Sequence, residues 1–344
     1  MKKPNLFDYA TSELSQDAFI CWLLKWSNPE YNELSKELNL CGIDILKCFF
    51  NKHNKAFPKV IDSVQIIKQD KNIDILCIVN DVYPIIIEDK TVTVQHSNQL
   101  EKYLDEIKSR SYDLDNIIPI YFKTYDQSNY DLVRKEGYEI FNRKDLLLIL
   151  NKYEIDNDIF NDFKERIKKI QDSIDSYKIL SINKWKWNSW IGFYMELQQK
   201  LGDGTWGYVA NQRGGFLGFW WNFIKKEDIT IHLQIETEQG QKNDDEEKTF
   251  NKSKLCFKIR VDDEHKRSDY RWKVYSYIYE EAKKYNLSVK KPDRFGKGLY
   301  MTVAVIDVEF RKNNQGIIDI NSTCNYLEEV MTFFHQEIKM KDIF

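Results

Sequence analysis

The sequence predicts a mixed β-sheet flanked by helices, followed by a separate α+β region rich in aromatic residues. Three observations carry this expectation. The chain opens on an apolar pattern with helical period, passes into short apolar runs bounded by turn residues, and then crowds its tryptophans after residue 185.

A length of 344 residues allows two ordinary domains. With 42% hydrophobic and 31% charged residues, the composition is that of a folded chain. No run approaches the ~20 consecutive apolar residues that a membrane helix needs. The start, Met1-Lys2-Lys3-Pro4-Asn5, lacks the apolar stretch of a secretory signal. Six cysteines (Cys21, Cys41, Cys48, Cys77, Cys256, Cys324) show no Cys-x-x-Cys spacing, and several lie inside apolar runs. Buried thiols in a reducing cytoplasm are therefore expected, in place of a zinc or disulfide framework. Lys plus Arg number 51 against 54 Asp plus Glu, a net charge of −3. Without a general basic surplus, any grip on a polyanion must come from a local patch or a protein partner.

The first helix is read from SQDAFICWLLKW, where Phe19, Trp22, Leu23 and Trp26 recur at i, i+3, i+4 and i+7. Ser15 is placed as its N-cap, and Asn28-Pro29 ends it. A less regular helical stretch runs from Glu33 to Lys52. The period then shortens: Val60–Ile67, Ile73–Val79 and Tyr83–Asp89 read as strands, with Asn80-Asp81 between the last two. A helix at about Ser97–Ser109 presents Leu100, Tyr103, Leu104 and Ile107 on one face. Strands at Ile117–Phe122 and Tyr138–Phe141 and a helix at Asp145–Lys152 complete a first domain, residues 1–153. Residues 154–184 read as a charged connecting helix. In the last part, 185–344, strands are expected at Gly215–Ile224, Ile229–Thr237, Leu255–Val261 and Tyr300–Phe310. Helices are expected there at about Ser268–Tyr285 and Thr323–Lys339, with Gly240–Lys252 as an exposed hairpin loop.

The segment NIDILCIVNDVYPIIIEDKT carries the chemistry. Glu88 and Lys90 stand two apart on a strand and project from one face, with Asp89 pointing the other way. Asp74 lies on the preceding strand. Val79 and Ile85-Ile86-Ile87 surround these charges with apolar neighbours, as in a central strand buried on both faces. Charges there are costly unless paired or bound to a metal. Carboxylates converging from neighbouring strands, with a lysine beside them, suit a hard divalent cation and phosphodiester hydrolysis. A two-residue turn at Asn80-Asp81 would set Asp74 opposite Ile87 and send the carboxylates to opposite sides. Convergence therefore requires Asp74 opposite Glu88, through an odd-length loop or a bulge, for which Pro84 is a natural place.

These residues resemble the PD-(D/E)xK nuclease superfamily. They are similar in particular to its prokaryotic members in which Glu-x-Lys is followed by a Gln-Leu-x-x-Tyr helix, here Gln99-Leu100-Glu101-Lys102-Tyr103 after Gln95. The opening FDYATSELSQDAFICWLL is similar to the same group, and the resemblance spans about residues 1–145. Asn72-Ile73-Asp74 departs from a literal Pro-Asp, and Asp89 stands where that group has asparagine.

The resemblance implies a restriction-endonuclease-like core and a Mg2+- or Mn2+-dependent nuclease acting on DNA, in the setting of prokaryotic defence. It implies that Asp74, Glu88 and the main-chain carbonyl of Asp89 hold the metal, with Glu13 as a further ligand or a support. Lys90 would place the attacking water or stabilise charge on the phosphate. Gln99 would line the site, supported by Tyr103 and Gln95. A nuclease-like binding or regulatory protein working through its aromatic C-terminal domain, and an RNase of the same fold, are the competing functions.

Plainer readings stand beside these. Asp74, Glu88 and Lys90 would form a salt-bridge cluster on an edge strand, and Glu13 a carboxylate favoured by a helix N-terminus. Gln99 and Tyr103 would belong to an ordinary helix surface, and His96 would be a solvated histidine at a helix start. The tryptophans after residue 185 fit a core better than stacking platforms. Lys290, Lys291, Arg294 and Lys297 are candidate contacts to a nucleic-acid backbone, or else a solvated loop after a helix end.

Overall fold

The computed structural model describes residues 3–93, 98–210, 215–226, 228–238, 252–307 and 310–339. The chain divides into two compact units, Met1–Asp172 and Ser173–Phe344.

The first unit runs α1 (Glu13–Lys25), α2 (Lys36–Lys52), β1 (Val64–Asp70), β2 (Ile73–Val79), β3 (Tyr83–Lys90), α3 (Gln99–Lys108), β4 (Ile118–Lys123), α4 (Asp131–Lys135), β5 (Glu139–Asn142), α5 (Arg143–Leu150) and α6 (Asp158–Asp175). Its five strands lie in sequence order in one mixed sheet. β1, β2 and β3 form an antiparallel meander, and β4 and β5 add in parallel. Alternation splits the core in two. Ile75, Cys77, Ile85, Ile87, Ile120 and Phe122 pack with α1, α2 and α5, while Leu76, Ile86 and Tyr121 pack with Leu100, Tyr103 and Ile107 of α3. Coverage on both faces explains why β2 and β3 read as unbroken apolar runs.

Three local expectations need correction. The N-cap of α1 is Ser12, whose hydroxyl accepts from the Ser15 amide. β1 begins at Val64, because Val60 is 64% exposed and has no sheet face to bury. α5 begins at Arg143, where Asn142 and Asp145 form a reciprocal capping box.

The second unit continues with α7 (Trp187–Leu201), β6 (Thr205–Val209), β7 (Phe216–Lys226), β8 (Ile229–Glu238), β9 (Lys252–Val261), α8 (Arg267–Ala282), β10 (Tyr300–Asp307) and α9 (Ile320–Phe333), which runs into a π-turn at Phe334–Lys339. The strands form one antiparallel sheet in the order β10-β9-β8-β7-β6. Its core holds Trp185, Trp190, Trp206 and Trp221 with Phe193, Phe219, Phe257 and Phe333. α7 and β6 were not foreseen, although Trp187, Trp190, Ile191 and Tyr194 repeat at helical spacing. Most of Gly240–Lys252 lies outside the described residues. Among the described residues, no helix is long and apolar enough to cross a membrane. Cys41, Cys77, Cys256 and Cys324 are buried, and Cys21 and Cys48 are half-buried.

Candidate functional site

The β2–β3 hairpin sets the geometry. Val79 pairs with Tyr83, so the loop has three residues, Asn80, Asp81 and Val82. Asn80 (φ 54°) and Asp81 (φ 57°) take left-handed conformations that short polar side chains tolerate. The odd loop length puts Ile75 opposite Ile87 and therefore Asp74 opposite Glu88. No bulge is needed at Pro84, which pairs in register with Ile78. Proline is accommodated there because β4 joins β3 only from Ile85 onward.

The pairing brings three oxygen donors around one cation. Lys90 Nζ lies 2.5 Å from Glu88 Oε1, 2.9 Å from the Asp89 carbonyl oxygen and 3.6 Å from Asp74 Oδ2. Asp74 Oδ2 also accepts from the Asp89 amide at 3.0 Å. Glu88 is 0% exposed and Lys90 6%. Glu88 Oε2 is buried without a hydrogen-bond partner among the described residues. Burial first, then the Asp74 carboxylate, pushes the Glu88 carboxyl up to about 8, against the pull of Lys90. Burial works to lower Lys90, but Glu88, Asp74 and Glu13 outweigh it and hold the ammonium above its ordinary value.

Among the described residues, no three His, Cys, Asp or Glu side chains gather as a ready-made metal centre. The donor set nevertheless fits a hard cation. Two carboxylates and a carbonyl oxygen already surround the Lys90 ammonium, a stand-in of the same sign. Magnesium typically takes one or two carboxylates and completes its shell with water and substrate oxygens.

Glu13 engages the segment that follows Lys90. Its Oε1 accepts from the Thr91 amide (3.1 Å), the Thr91 hydroxyl (3.2 Å) and the Thr93 hydroxyl (2.6 Å). Burial opposes, but these donors and Lys90 hold the Glu13 carboxyl below its ordinary value. Gln99 Nε2 donates to the Tyr103 hydroxyl at 2.7 Å. Tyr103 is 8% exposed, and burial, together with Glu88 and Asp74 nearby, holds its hydroxyl above the ordinary range. Gln95 and His96 lie outside the described residues. In the second unit, Lys290, Lys291 and Arg294 line one pocket, and Lys297 is not among its walls.

The structure adds two supports that the sequence reading missed. Beneath Glu88, on the opposite face of β3, Asp89 is 1% exposed and accepts from Gln16 Nε2 at 2.5 Å. Gln16 Oε1 in turn accepts from the Thr124 hydroxyl at 2.7 Å. Burial and the adjacent Asp17 raise Asp89 well above the usual carboxylate range. Gln16 and Asp17 share the buried face of α1 with Ile20, Leu23 and Leu24, and two polar residues on such a face were the available signal. On β4, Lys123 pairs beside Lys90, is 1% exposed and donates to the Thr93 carbonyl. Burial lowers its amine to about 8.

No curated protein and no solved structure matches the chain. A family model does match, over residues 4–186, a stretch that contains the whole β2–β3 hairpin, the helix after it and the Glu13 helix before it. That match covers more than half of the 344 residues, and with it the chain belongs to the PD-(D/E)XK nuclease superfamily.

Proposed function

We propose that the chain is a Mg2+- or Mn2+-dependent nuclease that hydrolyses phosphodiester bonds of DNA, in the Gln-Leu-x-x-Tyr group of its superfamily, and serves prokaryotic defence from the cytoplasm. The observation that carries the reading is the Lys90 ammonium held among Glu88, Asp74 and the Asp89 carbonyl in a buried hairpin. Asp74, Glu88 and the Asp89 carbonyl are the oxygens offered to the metal. A bound divalent cation neutralises charge on the phosphate and lowers the pKa of water. Lys90, on the same strand face as Glu88, would orient the attacking water and meet charge developing on the phosphate. Glu13 fixes the Thr91–Thr93 backbone beside Lys90, and Gln99 with Tyr103 forms the helix wall.

The test is cleavage of supercoiled and linear DNA with Mg2+, Mn2+ or EDTA, by the wild type and by Lys90→Ala. Metal-dependent cutting that Lys90→Ala loses supports the reading. A wild type that binds Mn2+ but cuts neither DNA nor RNA makes the chain a nuclease-fold binding protein acting through a partner.

A further inference from the structure

In the second unit, a pocket of about 420 Å³ opens on one face of the sheet. Its carboxylates are already committed. Glu236 pairs with Lys258 at 2.9 Å, Asp307 with Lys290 at 2.5 Å, and Asp293 lies 3.6 Å from Lys254. Two cations on the pocket wall, Lys291 and Arg294, have no carboxylate partner among the described residues. Counting its own side chains, Lys254, Lys290, Lys291 and Arg294 against Glu236, Asp293 and Asp307, the wall carries a net charge of +1 in a chain whose net charge is −3.

Lys291 joins the pocket to a row of aromatic rings. Its Nζ lies 5.2 Å over Trp272 and 5.5 Å over Phe295. Trp272 and Phe295 meet at 4.7 Å between centroids, Phe295 and Tyr275 at 5.6 Å, and Tyr275 and Tyr279 at 5.8 Å. Arg271 covers Phe295 at 4.5 Å and Lys283 covers Tyr279 at 4.5 Å. Trp272 is 46% exposed and Tyr279 40%. Large rings left this open, each under a cation, are an unusual way to spend aromatic residues on a helix surface.

We propose that this pocket and the α8 aromatic row form a binding track for single-stranded nucleic acid. The inference rests on the nuclease reading and names the form of nucleic acid that the second unit takes. A base stacking on Trp272 displaces the Lys291 ammonium from the ring face and turns it towards the phosphate of the same strand. Arg294 meets the neighbouring phosphate from the pocket wall. Duplex bases hide their faces against one another, whereas single-stranded bases can splay onto aromatic side chains. An acidic protein would be drawn by Lys291 and Arg294 but would have no flat partner for the rings. The small charge surplus also makes stacking the main source of affinity.

The test measures binding of the full chain in EDTA to a short fluorescein-labelled oligo(dT), to the same strand paired with oligo(dA), and to oligo(dT) in competition with poly-glutamate. The single strand is expected to bind more tightly than the duplex, with poly-glutamate a poor competitor. Trp272→Ala should weaken oligo(dT) binding by about 5- to 150-fold, the range typical of losing one base–aromatic stack, and Trp272→Phe should keep most of it. Lys291→Ala with Arg294→Ala should flatten the dependence of log affinity on log salt by about 1.4, at ~0.7 per phosphate for single strands. Unchanged melting temperatures would confirm that these surface variants fold. No binding, equal binding of the duplex, equal competition by poly-glutamate, or Trp272→Ala binding like the wild type would each overturn the inference. The two readings fail separately. A chain that holds oligo(dT) through Trp272 yet cuts nothing refutes only the nuclease, and cleavage with binding indifferent to Trp272 refutes only the track.

Discussion

Glu88 and Lys90 face the same way from β3, and their Oε1 and Nζ atoms meet at 2.5 Å in a site where both are at least 94% buried. An ammonium so placed competes with any divalent cation for the same carboxylate, and is also the group nearest to whatever that cation recruits. The two substitutions should therefore separate. Lys90→Ala should cost about 10²–10³ in rate, the usual loss for one preorganised electrostatic group, while Mn2+ affinity stays level or rises. Glu88→Ala should lose affinity and cleavage together. Calorimetry with Mn2+ beside a plasmid assay reads both, and equal cleavage by wild type and Lys90→Ala would place the activity elsewhere.

The elevated Glu88 carboxyl makes metal uptake dependent on pH. With its titration pushed up to about 8 by burial and the Asp74 carboxylate, Glu88 is the group whose proton is lost when a metal takes its carboxylate. Binding should then release close to one proton below pH 8. Affinity should fall about tenfold per unit as pH drops below that value and level off above it. Calorimetry in buffers of different ionisation enthalpy counts the proton directly. No proton release at pH 7 would mean that Glu88 is already ionised, or that the metal does not use it.

Glu13 offers a sharper test between ligand and clamp. Its Oε1 is occupied by three donors from Thr91 and Thr93, which fixes the backbone leaving Lys90. Glu13→Ala should lower turnover through a misplaced Lys90 and leave Mn2+ affinity unchanged. A loss of affinity as deep as that of Glu88→Ala would make Glu13 a metal ligand.

The legibility of the site follows from how local each signal is. Asp74, Glu88 and Lys90 could be read because three charges interrupt an otherwise apolar pair of strands, and because strand period places Glu88 and Lys90 on one face. Even the register was accessible, since convergence demands an odd loop; only its source, three loop residues in place of a bulge at Pro84, needed the structure. Gln16 and Lys123 were hidden because their roles are tertiary. Gln16 lies 73 residues from the carboxylate it holds, and Lys123 gains its place only by parallel pairing beside Lys90. In the second unit, the aromatic crowding around Trp187, Trp190 and Tyr194 masks the helical spacing that α7 rests on. Ser12 is the cap in place of Ser15 because the helix starts at Glu13, ahead of the apolar repeat that begins at Phe19.

His232 gives the second unit a stability profile of its own. It is 5% exposed on β8, with Nε2 3.4 Å from Gln234 Oε1 and its ring stacked on Phe223. Burial is the largest cause of its depression to about 4, with Lys258 adding in the same direction and Gln234 opposing. The unfolded chain takes up this proton near pH 6.5, and the folded chain only near 4. Stability therefore rises with pH wherever the unfolded state binds the extra proton, so it must fall as pH drops from about 6.5 to 4. A gap of about 2.5 units sets the ceiling near 3 kcal/mol. Carboxylates titrate in part of the same window, so the informative quantity is the difference between wild type and His232→Asn. Urea titrations followed by tryptophan fluorescence suit the measurement, because seven of the nine tryptophans lie in this unit. The two curves should converge as pH falls from 6.5 to 4, as the wild type loses what the variant never had to lose. Parallel curves across that window would show that the folded protein accepts the proton on His232 as readily as the unfolded chain.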